Sequence, residues 1–303
     1  MPLHAPVAQL FAPLGIEFGF TAIHLATGQR IDINAHALFP TASVVKVPVM
    51  VEVYRQAEQG RFALTDRLAF TERNRTIGSG VMKQMAAGLS PTIRDLVMLM
   101  TIISDNTATE MLVELVGAEN VTATMRALGL ADIHVTLNLA ELFAIGYGQP
   151  PSPRLTFAQM QAASAGQNMD YDSLAFQASP ANTTSSAADM AKLMRLIETG
   201  RAASPASCAD MLEVLFAQQL KDRVPRFLPT EAVGNKTGTF RGVRNDAGLI
   251  RRGPSDVIAF ALFSFDRLAL PVGNSRQLAE RNAVVNTAMA ELGALLWNDF
   301  RPG

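Results

Sequence analysis

Ser43 and Lys46 are separated by two valines in the segment Ser43-Val44-Val45-Lys46. If a helix begins at Ser43, Lys46 lies three residues on and on the same face, so its amine can reach the serine hydroxyl. A serine hydroxyl is a poor nucleophile at neutral pH unless a base takes its proton. Lysine serves as that base only when burial or a neighbouring cation lowers its pKa. The apolar surroundings favour such burial, although an N-cap serine followed by an exposed lysine gives the same pattern.

A second polar group, Ser104-Asp105-Asn106, interrupts a long helical pattern. These residue types are favoured in capping turns because they hydrogen-bond to nearby backbone groups. As a functional group, Ser104 would relay a proton to a leaving group, and Asn106 would contribute an amide hydrogen bond to the substrate or to Lys46. Asp105 would then tie down the turn.

The third segment is Lys236-Thr237-Gly238-Thr239, inside a predicted strand. A glycine within a strand can mark a place where something approaches the backbone closely. The Thr239 amide, together with that of Ser43, would form an oxyanion hole for a tetrahedral intermediate. Lys236 would supply a cation for a substrate carboxylate, and Thr237 would border the same site. Taken alone, the segment is equally typical of an ordinary strand.

Together, and in this order, the three segments resemble the signature of the class A β-lactamases and penicillin-binding proteins, which is S-x-x-K, S-D-N and K-T-G. The resemblance covers about Ile16 to Trp297. The stretch from Asn182 to Met190 is similar to the threonine-rich segment that opens a helix in these proteins, and Gly242 to Asp246 resembles the next strand's start, where an arginine, here Arg244, assists carboxylate binding. The resemblance implies a serine hydrolase that opens β-lactams through an acyl-enzyme and needs no cofactor.

One part of the class A pattern is not matched. These enzymes carry a glutamate, in a pattern like E-x-E-L-N, that activates the water hydrolysing the acyl-enzyme. Aligning Glu141 and Leu142 with E-L puts Leu139 where this glutamate belongs and Phe143 in place of the asparagine. A shift of two residues would make Glu141 the base; otherwise Glu141 is a solvated loop acid.

The segment 143–182 is longer than the resemblance leads us to expect, and it is weakly periodic. We predict a long loop with one helix over Thr156 to Ala163. Loops of this length are commonly functional or disordered. The segment therefore either covers the site, supplies another base or is a surface insertion, and its candidate residues are Tyr147, Asp170, Tyr171 and Asp172.

The elements that must position these groups follow the order hairpin, helical block, three strands and helix. Periodicity and turn residues predict strands over Ile16–Leu25, Arg30–Asn34, Ala232–Phe240, Arg244–Arg251 and Asp256–Phe265, and helices over about Ser43–Gln59, Thr92–Leu128, Ser186–Glu198 and Ser275–Trp297. Strands at both ends with helices between them predict a mixed α/β fold with an antiparallel sheet. We expect a single catalytic domain, with an α/β lobe over about 1–45 and 200–303 and a helical lobe over about 46–199.

Composition excludes several other function classes. The 303 residues carry a net charge of −1 and only 17% charged side chains, which is not the basic excess of a nucleic-acid-binding protein. The short cluster Arg223 to Arg226 is interpreted as a solvated face. Cys208 is the only cysteine, so paired-cysteine zinc and redox motifs are excluded. The histidines lack metal-ligand spacing, so no metal is expected.

Three functions stay open at this point: a β-lactamase, a related peptidase or esterase acting on another amide or ester, and a penicillin-binding sensor that is acylated without turnover. The expected partner is a small-molecule substrate, and the oligomeric state is undetermined. The first residues lack the charged start and apolar run of a signal peptide, and no stretch is long enough for a membrane span. The sequence as written therefore predicts a cytoplasmic protein, or a periplasmic or secreted one if a signal was removed or the start lies upstream.

Overall fold

The strands near both ends of the chain come together in one antiparallel sheet. The computed structural model describes residues 3–166, 169–270 and 273–301. Its strands are β1 (Glu17–His24), β2 (Arg30–Ile33), β3 (Phe39–Pro40), β4 (Thr184–Ser185), β5 (Val233–Phe240), β6 (Val243–Arg251) and β7 (Val257–Phe265). Five of these form the main sheet in the order β2-β1-β7-β6-β5, and β3 pairs with β4. Strand β5 is therefore an edge strand.

Among the described residues, eight helices lie between β3 and β5, and one further helix lies near each end of the chain. They are α1 (His4–Phe11), α2 (Lys46–Glu58), α3 (Ile93–Ile102), α4 (Asn106–Val116), α5 (Ala118–Ala127), α6 (Leu139–Gly146), α7 (Phe157–Ala165), α8 (Ala187–Glu198), α9 (Pro205–Phe216) and α10 (Ser275–Asp299). Among the described residues, none of these helices combines the length and the apolarity needed to cross a bilayer.

Strand β7 shows why the sheet lies between two layers of helices. All of its residues are buried, and successive side chains of a strand point to opposite faces. Phe260 and Leu262 pack with α1 and α10 in one apolar cluster, whereas Ala261 and Phe263 belong to the larger cluster formed with α2 to α5, α8 and α9. Both faces of the central strand are thus covered.

The prediction of a mixed α/β fold with an antiparallel sheet from both ends of the chain is confirmed. The three C-terminal strands each begin within one residue of the predicted start. The helix expected over Thr156 to Ala163 is α7, and Thr156 caps it in a capping box with Gln159. Helix α6 was not predicted, because the residues around Glu141 were interpreted as loop.

Candidate active site

A cavity of about 260 Å³ brings the three predicted segments together. Ser43, Ser104, Asn106, Thr237 and Thr239 all line it. The remaining wall comes from the ends of β3 and β5, from α6 and from three loops, and it consists of Pro40, Ala42, Gly78, Ser79, Leu139, Leu142, Phe143, Ala175, Asn182, Thr183, Leu220 and Phe240. None of these described lining residues carries a carboxylate, and most of the wall is apolar.

Ser43 lies in a short 3-10 turn, Ala42–Val45, that leads into α2. The side-chain amide of Asn245 on β6 donates hydrogen bonds to the Pro40 and Thr41 carbonyls, at 2.9 and 3.0 Å, and so fixes the entry to this turn. A Cβ atom at Gly238 on β5 would lie 2.5 Å from the Thr41 carbonyl oxygen. The glycine expected to allow a close approach therefore lets β5 contact the nucleophile turn.

Lys46 begins α2 and is buried, with 1% of its surface exposed. Its Nζ lies 2.7 Å from the Ser104 carbonyl oxygen, 2.9 Å from Ser104 Oγ and 2.8 Å from Asn106 Oδ1. In the described residues it forms no hydrogen bond with Ser43 Oγ. Burial, followed by the charge of Lys236, lowers the pKa of Lys46 well below its ordinary value, which favours a neutral amine.

A neutral amine fits the hydrogen-bond partners of Lys46. The Ser104 carbonyl and Asn106 Oδ1 can only accept hydrogen bonds, so they use both N–H groups. The nitrogen lone pair is then left to accept a proton from a hydroxyl. The hydrogen bonds of Lys46 are thus compatible with a neutral amine.

The turn at Ser104 joins the two lysines. Ser104 has a left-handed backbone conformation, with φ of +58°. Its Oγ lies 2.9 Å from Lys46 Nζ and 3.0 Å from Lys236 Nζ, so the three side chains form one continuous hydrogen-bonded chain. Asp105 accepts hydrogen bonds from the amides of Val81, at 2.6 Å, and of Ala108, at 3.0 Å, so its carboxylate anchors the turn as expected.

Lys236 on β5 is completely buried, and its Nζ also donates to the Thr237 carbonyl at 2.8 Å. Burial and the nearby Arg223 lower the pKa of Lys236 to about 7. The Asn235 and Thr237 carbonyls accept side-chain hydrogen bonds at the free edge of β5. Since backbone groups alternate in direction along a strand, the Thr239 N–H points to that same edge.

Arg223 was interpreted as part of a solvated face, and this is wrong: only 2% of it is exposed. Its Nη1 donates to the Gly238 carbonyl at 2.6 Å and to the Asn245 carbonyl at 2.5 Å. Its Nη2 donates to Thr239 Oγ1. The sequence gives no local signal for this position, because the carbonyls that attract the guanidinium come from distant strands. Arg226, three residues on, is exposed.

Arg244, to which the resemblance assigns carboxylate binding, lies at the start of β6 opposite Thr239. Its Nε donates to Asn282 Oδ1 on α10 at 3.3 Å, and it lines a second cavity rather than the one at Ser43. Burial and the charge of Arg223 lower the pKa of Arg244 to about 10. Arg223, and not Arg244, is the guanidinium that hydrogen-bonds to Gly238 and Thr239 of β5.

Glu141 lies in the first turn of α6, where it forms a capping box with Asn138. Its Oε2 accepts a hydrogen bond from the Asn138 amide at 2.9 Å, and Glu141 is absent from the lining of the cavity. The spacing Asn138-x-x-Glu141 before an apolar run is itself a helix-start signal. The carboxylate thus stabilises the helix terminus, while Leu139 occupies the cavity wall.

Sequence comparison decides the family. A sequence model of the β-lactamase enzyme family matches residues 2–300. This protein belongs to that family. The β-lactamase regulatory protein BlaB of Streptomyces cacaoi is 24% identical over 269 residues, which are 82% of this chain and 85% of that protein.

Solved structures agree with this assignment. A β-lactamase from Sphaerobacter thermophilus is 30% identical, with a TM-score of 0.74 and coverage of 100% of this chain and 98% of that one. PBP-A is 21% identical, with the same TM-score of 0.74 and coverage of 98% and 95%. A PBP-A mutant has also been solved as an acyl-enzyme complex with penicillin G. At that identity, the PBP-A structures show the fold alone.

A buried carboxylate that the sequence analysis missed holds α6 against this β-lactamase-family site. Glu110 on α4 is completely buried. Its Oε2 accepts the Leu139 amide at 3.1 Å and the Ala140 amide at 3.4 Å. Its Oε1 accepts a hydrogen bond from Arg154 Nη1 at 2.6 Å, and Arg154 also pairs with Glu114 at 2.8 Å. Segment 143–182 therefore supplies the cation that balances Glu110.

The same segment packs aromatic side chains against Phe240, a residue of the cavity wall. The Phe176 ring stacks on Phe240 at 5.0 Å, and the Tyr171 ring meets Phe176 edge-on at 5.3 Å. The candidate bases Asp170 and Asp172 are exposed and line neither cavity. Within the described residues, no group of three or more His, Cys, Asp or Glu side chains is arranged to hold a metal ion.

Proposed function

We propose that this β-lactamase-family protein reacts with β-lactams at Ser43 and retains the acyl group, as a penicillin-binding or penicillin-sensing protein. One observation carries the proposal. Ser104, the centre of a buried hydrogen-bonded chain with Lys46 and Lys236, lines the same cavity as Ser43, and the described lining residues of that cavity include no carboxylate. The hydrogen-bonded side chains supply the groups needed for acylation, whereas the described lining of the cavity offers no base for hydrolysis of the acyl-enzyme.

In the acylation step, Lys46 takes the proton of the Ser43 hydroxyl as Oγ attacks the lactam carbonyl carbon. The Ser43 and Thr239 amides stabilise the resulting oxyanion, and electrostatic stabilisation of this kind is usually a large part of catalysis. The lactam C–N bond then breaks as Ser104 delivers its hydroxyl proton to the leaving nitrogen. Ser104 recovers a proton from Lys46, so the proton taken from Ser43 ends on the ligand.

The carboxylate of the ligand is held at the Lys236 end of β5. Lys236 supplies the cation, and the adjacent residue Thr237 lines the cavity. Arg223 orients the Thr239 hydroxyl by donating to its Oγ1. A buried cation gains strength as a carboxylate partner because the local dielectric is low.

Deacylation requires a base that positions and deprotonates a water molecule. Leu139 lines the wall where the family resemblance calls for that base. The two nearby acids have other partners: Glu141 caps α6, and Glu110 binds backbone amides and Arg154. The likeness to BlaB, a regulatory protein by name, also supports a sensing role over turnover.

The test is intact mass spectrometry of the protein mixed with excess benzylpenicillin, followed over time beside the absorbance of a chromogenic cephalosporin. We expect a persistent adduct of one penicillin and a burst of colour equal to the protein concentration. Ser43→Ala should form no adduct, whereas Ser255→Ala, which removes an exposed hydroxyl far from the cavity, should react like the parent.

The other outcomes separate the remaining functions. Sustained colour with a transient adduct would mean that the protein is a β-lactamase and that the retention we propose is wrong. No adduct at all would refute the reaction with β-lactams and favour a peptidase or esterase, which assays on D-Ala-D-Ala peptides and simple esters would identify.

A further inference from the structure

A loop of three residues, 78–80, packs against the turn at Ser104. It consists of Ser79 between two glycines that have left-handed backbone conformations, with φ of +92° and +98°. A Cβ atom on the first glycine would lie 2.3 Å from Asn106 Nδ2, and one on the second would lie 2.3 Å from Asp105 Cγ. The glycines therefore allow the loop to approach the turn closely enough for the serine side chain to reach it.

Hydrogen bonds to the backbone hold Ser79 in place on this turn. The Ser79 carbonyl accepts a hydrogen bond from the Asn106 amide at 3.1 Å. On one side of Ser79, the Ile77 carbonyl accepts from Asn106 Nδ2 at 2.9 Å. On the other side, the Val81 amide donates to Asp105 Oδ2 at 2.6 Å. The chain is thus tied to the turn before and after Ser79, so the Ser79 hydroxyl has a defined position.

The Ser79 hydroxyl lies next to the same two acceptors as the amine of Lys46. Ser79 Oγ lies 2.5 Å from the Ser104 carbonyl oxygen and 3.4 Å from Asn106 Oδ1. Lys46 Nζ lies 2.7 Å and 2.8 Å from these two atoms. A hydroxyl has one proton to donate, and the shorter distance assigns it to the Ser104 carbonyl. Since a carbonyl oxygen has two lone pairs, one serves Lys46 and the other serves Ser79.

This sharing acts mainly on the charged form of Lys46. Hydrogen bonds to the charged form of a group favour that form, and bonds that involve an ionised donor are the stronger ones. Two donors on one oxygen compete for its negative charge, so the Ser104 carbonyl stabilises an ammonium group less while Ser79 also donates to it. The Ser79 hydroxyl therefore favours the neutral amine of Lys46.

We propose that Ser79 is a positioning residue for the acylation of Ser43, whose hydroxyl holds the Ser104 carbonyl and keeps Lys46 in the form that can take a proton. This inference rests on the proposed function. Ser79 lines the cavity together with Ser43 and Ser104, but it lies outside the three segments that carry the family resemblance. It adds a fourth side chain to the hydrogen-bonded chain of Lys46, Ser104 and Lys236.

The charged groups around Lys46 set the pH response against which this role is tested. Burial, followed by the charge of Lys236 on β5, lowers the pKa of Lys46, and Asp105 acts in the opposite direction. Lys83, three residues after the loop, donates to a backbone carbonyl, and Glu110 on α4 is paired with an arginine. Removing a hydroxyl leaves all of these charges in place, so a shift in the pH response can be attributed to the lost hydrogen bond.

The test is the pH dependence of the maximal rate of Ser43 adduct formation, measured by intact mass at saturating benzylpenicillin between about pH 5 and 9. The neutral amine of Lys46 is lost as the pH falls through its pKa, so the rate should fall on the acid side of the profile. Ser79→Ala should raise the pKa of Lys46 and move this acid limb upward by about 0.5 pH unit, which slows acylation about threefold on the limb and leaves the maximal rate above it unchanged.

Two further variants assign the effect to the hydroxyl. Ser79→Thr keeps a hydroxyl at the same position and should return the acid limb to its place in the parent profile. Ser255→Ala removes an exposed hydroxyl far from the cavity and should leave the whole profile unchanged. Ser79 is itself exposed, so its replacement by alanine is expected to leave the fold intact.

The outcomes separate this inference from the one on which it rests. If Ser79→Ala reacts like the parent, or slows equally at every pH with the acid limb in place, the role of Ser79 is overturned and the proposed function is retained. The same holds if the limb moves as far in Ser79→Thr as in Ser79→Ala. If the parent protein forms no adduct at any pH, the proposed function is refuted, and the role of Ser79 with it.

Discussion

Replacing Gly238 by alanine should separate β5 from the nucleophile turn. The added Cβ would lie 2.5 Å from the Thr41 carbonyl oxygen, 3.1 Å from Val44 Cγ2 and 3.2 Å from Asn245 Cβ. A carbon and a carbonyl oxygen normally approach to about 3.3–3.6 Å, so the backbones must move apart by about 0.8 to 1.1 Å. A displacement near 1 Å at a reacting centre can slow a reaction about 100-fold.

Gly238→Ala is therefore expected to acylate with benzylpenicillin about 100-fold more slowly than the parent. Its free energy of unfolding should fall by about 1–3 kcal/mol, the usual cost of an overpacked site. Intact mass gives the rate of acylation, and urea unfolding gives the stability. Because Thr41 O is also held by Asn245 Nδ2 at 3.0 Å, the turn has little freedom to give way.

The control is Gly253→Ala, in the turn between β6 and β7. A Cβ at Gly253 would meet no atom within 4 Å, and its φ lies outside the left-handed region, so the parent rate and stability should be retained. If Gly238→Ala acylates within about threefold of the parent, the argument that a 1 Å displacement disables the site fails.

Three further perturbations probe the site. Leu139→Glu places a carboxylate in the cavity wall and should shorten the lifetime of the penicillin adduct at least about tenfold through general-base catalysis. The lifetime is measured by intact mass after excess ligand is removed. An unchanged lifetime would mean that the lack of a base does not limit hydrolysis of the adduct. Glu110→Ala leaves Arg154 and two helix amides without their buried partner and should lower the free energy of unfolding in urea by about 3–5 kcal/mol. Glu114→Ala removes a more exposed partner of the same arginine and should lower it by about 1 kcal/mol or less. Equal losses of unfolding free energy would contradict the role of Glu110 as the anchor of α6. Since the pKa of Lys236 is lowered to about 7, its cation is lost as pH rises through neutrality, so the concentration of benzylpenicillin that gives half the maximal acylation rate should increase there, and a flat profile would argue against Lys236 as the carboxylate partner.

Much of this arrangement follows from short-range patterns in the chain. Strand β7 was predictable because an apolar run of strand length, bounded by turn residues, favours a fully buried strand. The helix start at Thr92 was predictable from its spacing to Asp95, and the two residues form a capping box. The cavity groups were found because three fixed patterns, at Ser43, Ser104 and Lys236, occur in one order.

The features that could not be predicted from the sequence depend on contacts between residues that are distant along the chain. In the sequence, Arg223 resembles any surface arginine. In the fold, β5 and β6 surround it with carbonyl groups and with Asp246, and burial raises the pKa of Asp246 to about 7. In the sequence, Glu110 resembles any other acidic residue of a helix. Its partner, the amide of Leu139, comes from a different part of the chain. Helix α6 is short and apolar on most sides, so periodicity does not reveal it, although its capping residues do.

Helix α4 connects the two halves of the chemistry. Asn106 and Glu110 lie four residues apart on α4 and hence on the same face. Asn106 Oδ1 accepts a hydrogen bond from Lys46 Nζ at 2.8 Å, and so orients the amine that we propose as the base. Glu110 holds the first turn of α6 and with it Leu139, the residue that lines the wall where a deacylating base would act. One helix thus contacts both Lys46, the base that we propose for acylation, and the turn that carries Leu139. On this proposal, a change at Leu139 alters the lifetime of the adduct while the groups used for acylation stay in place.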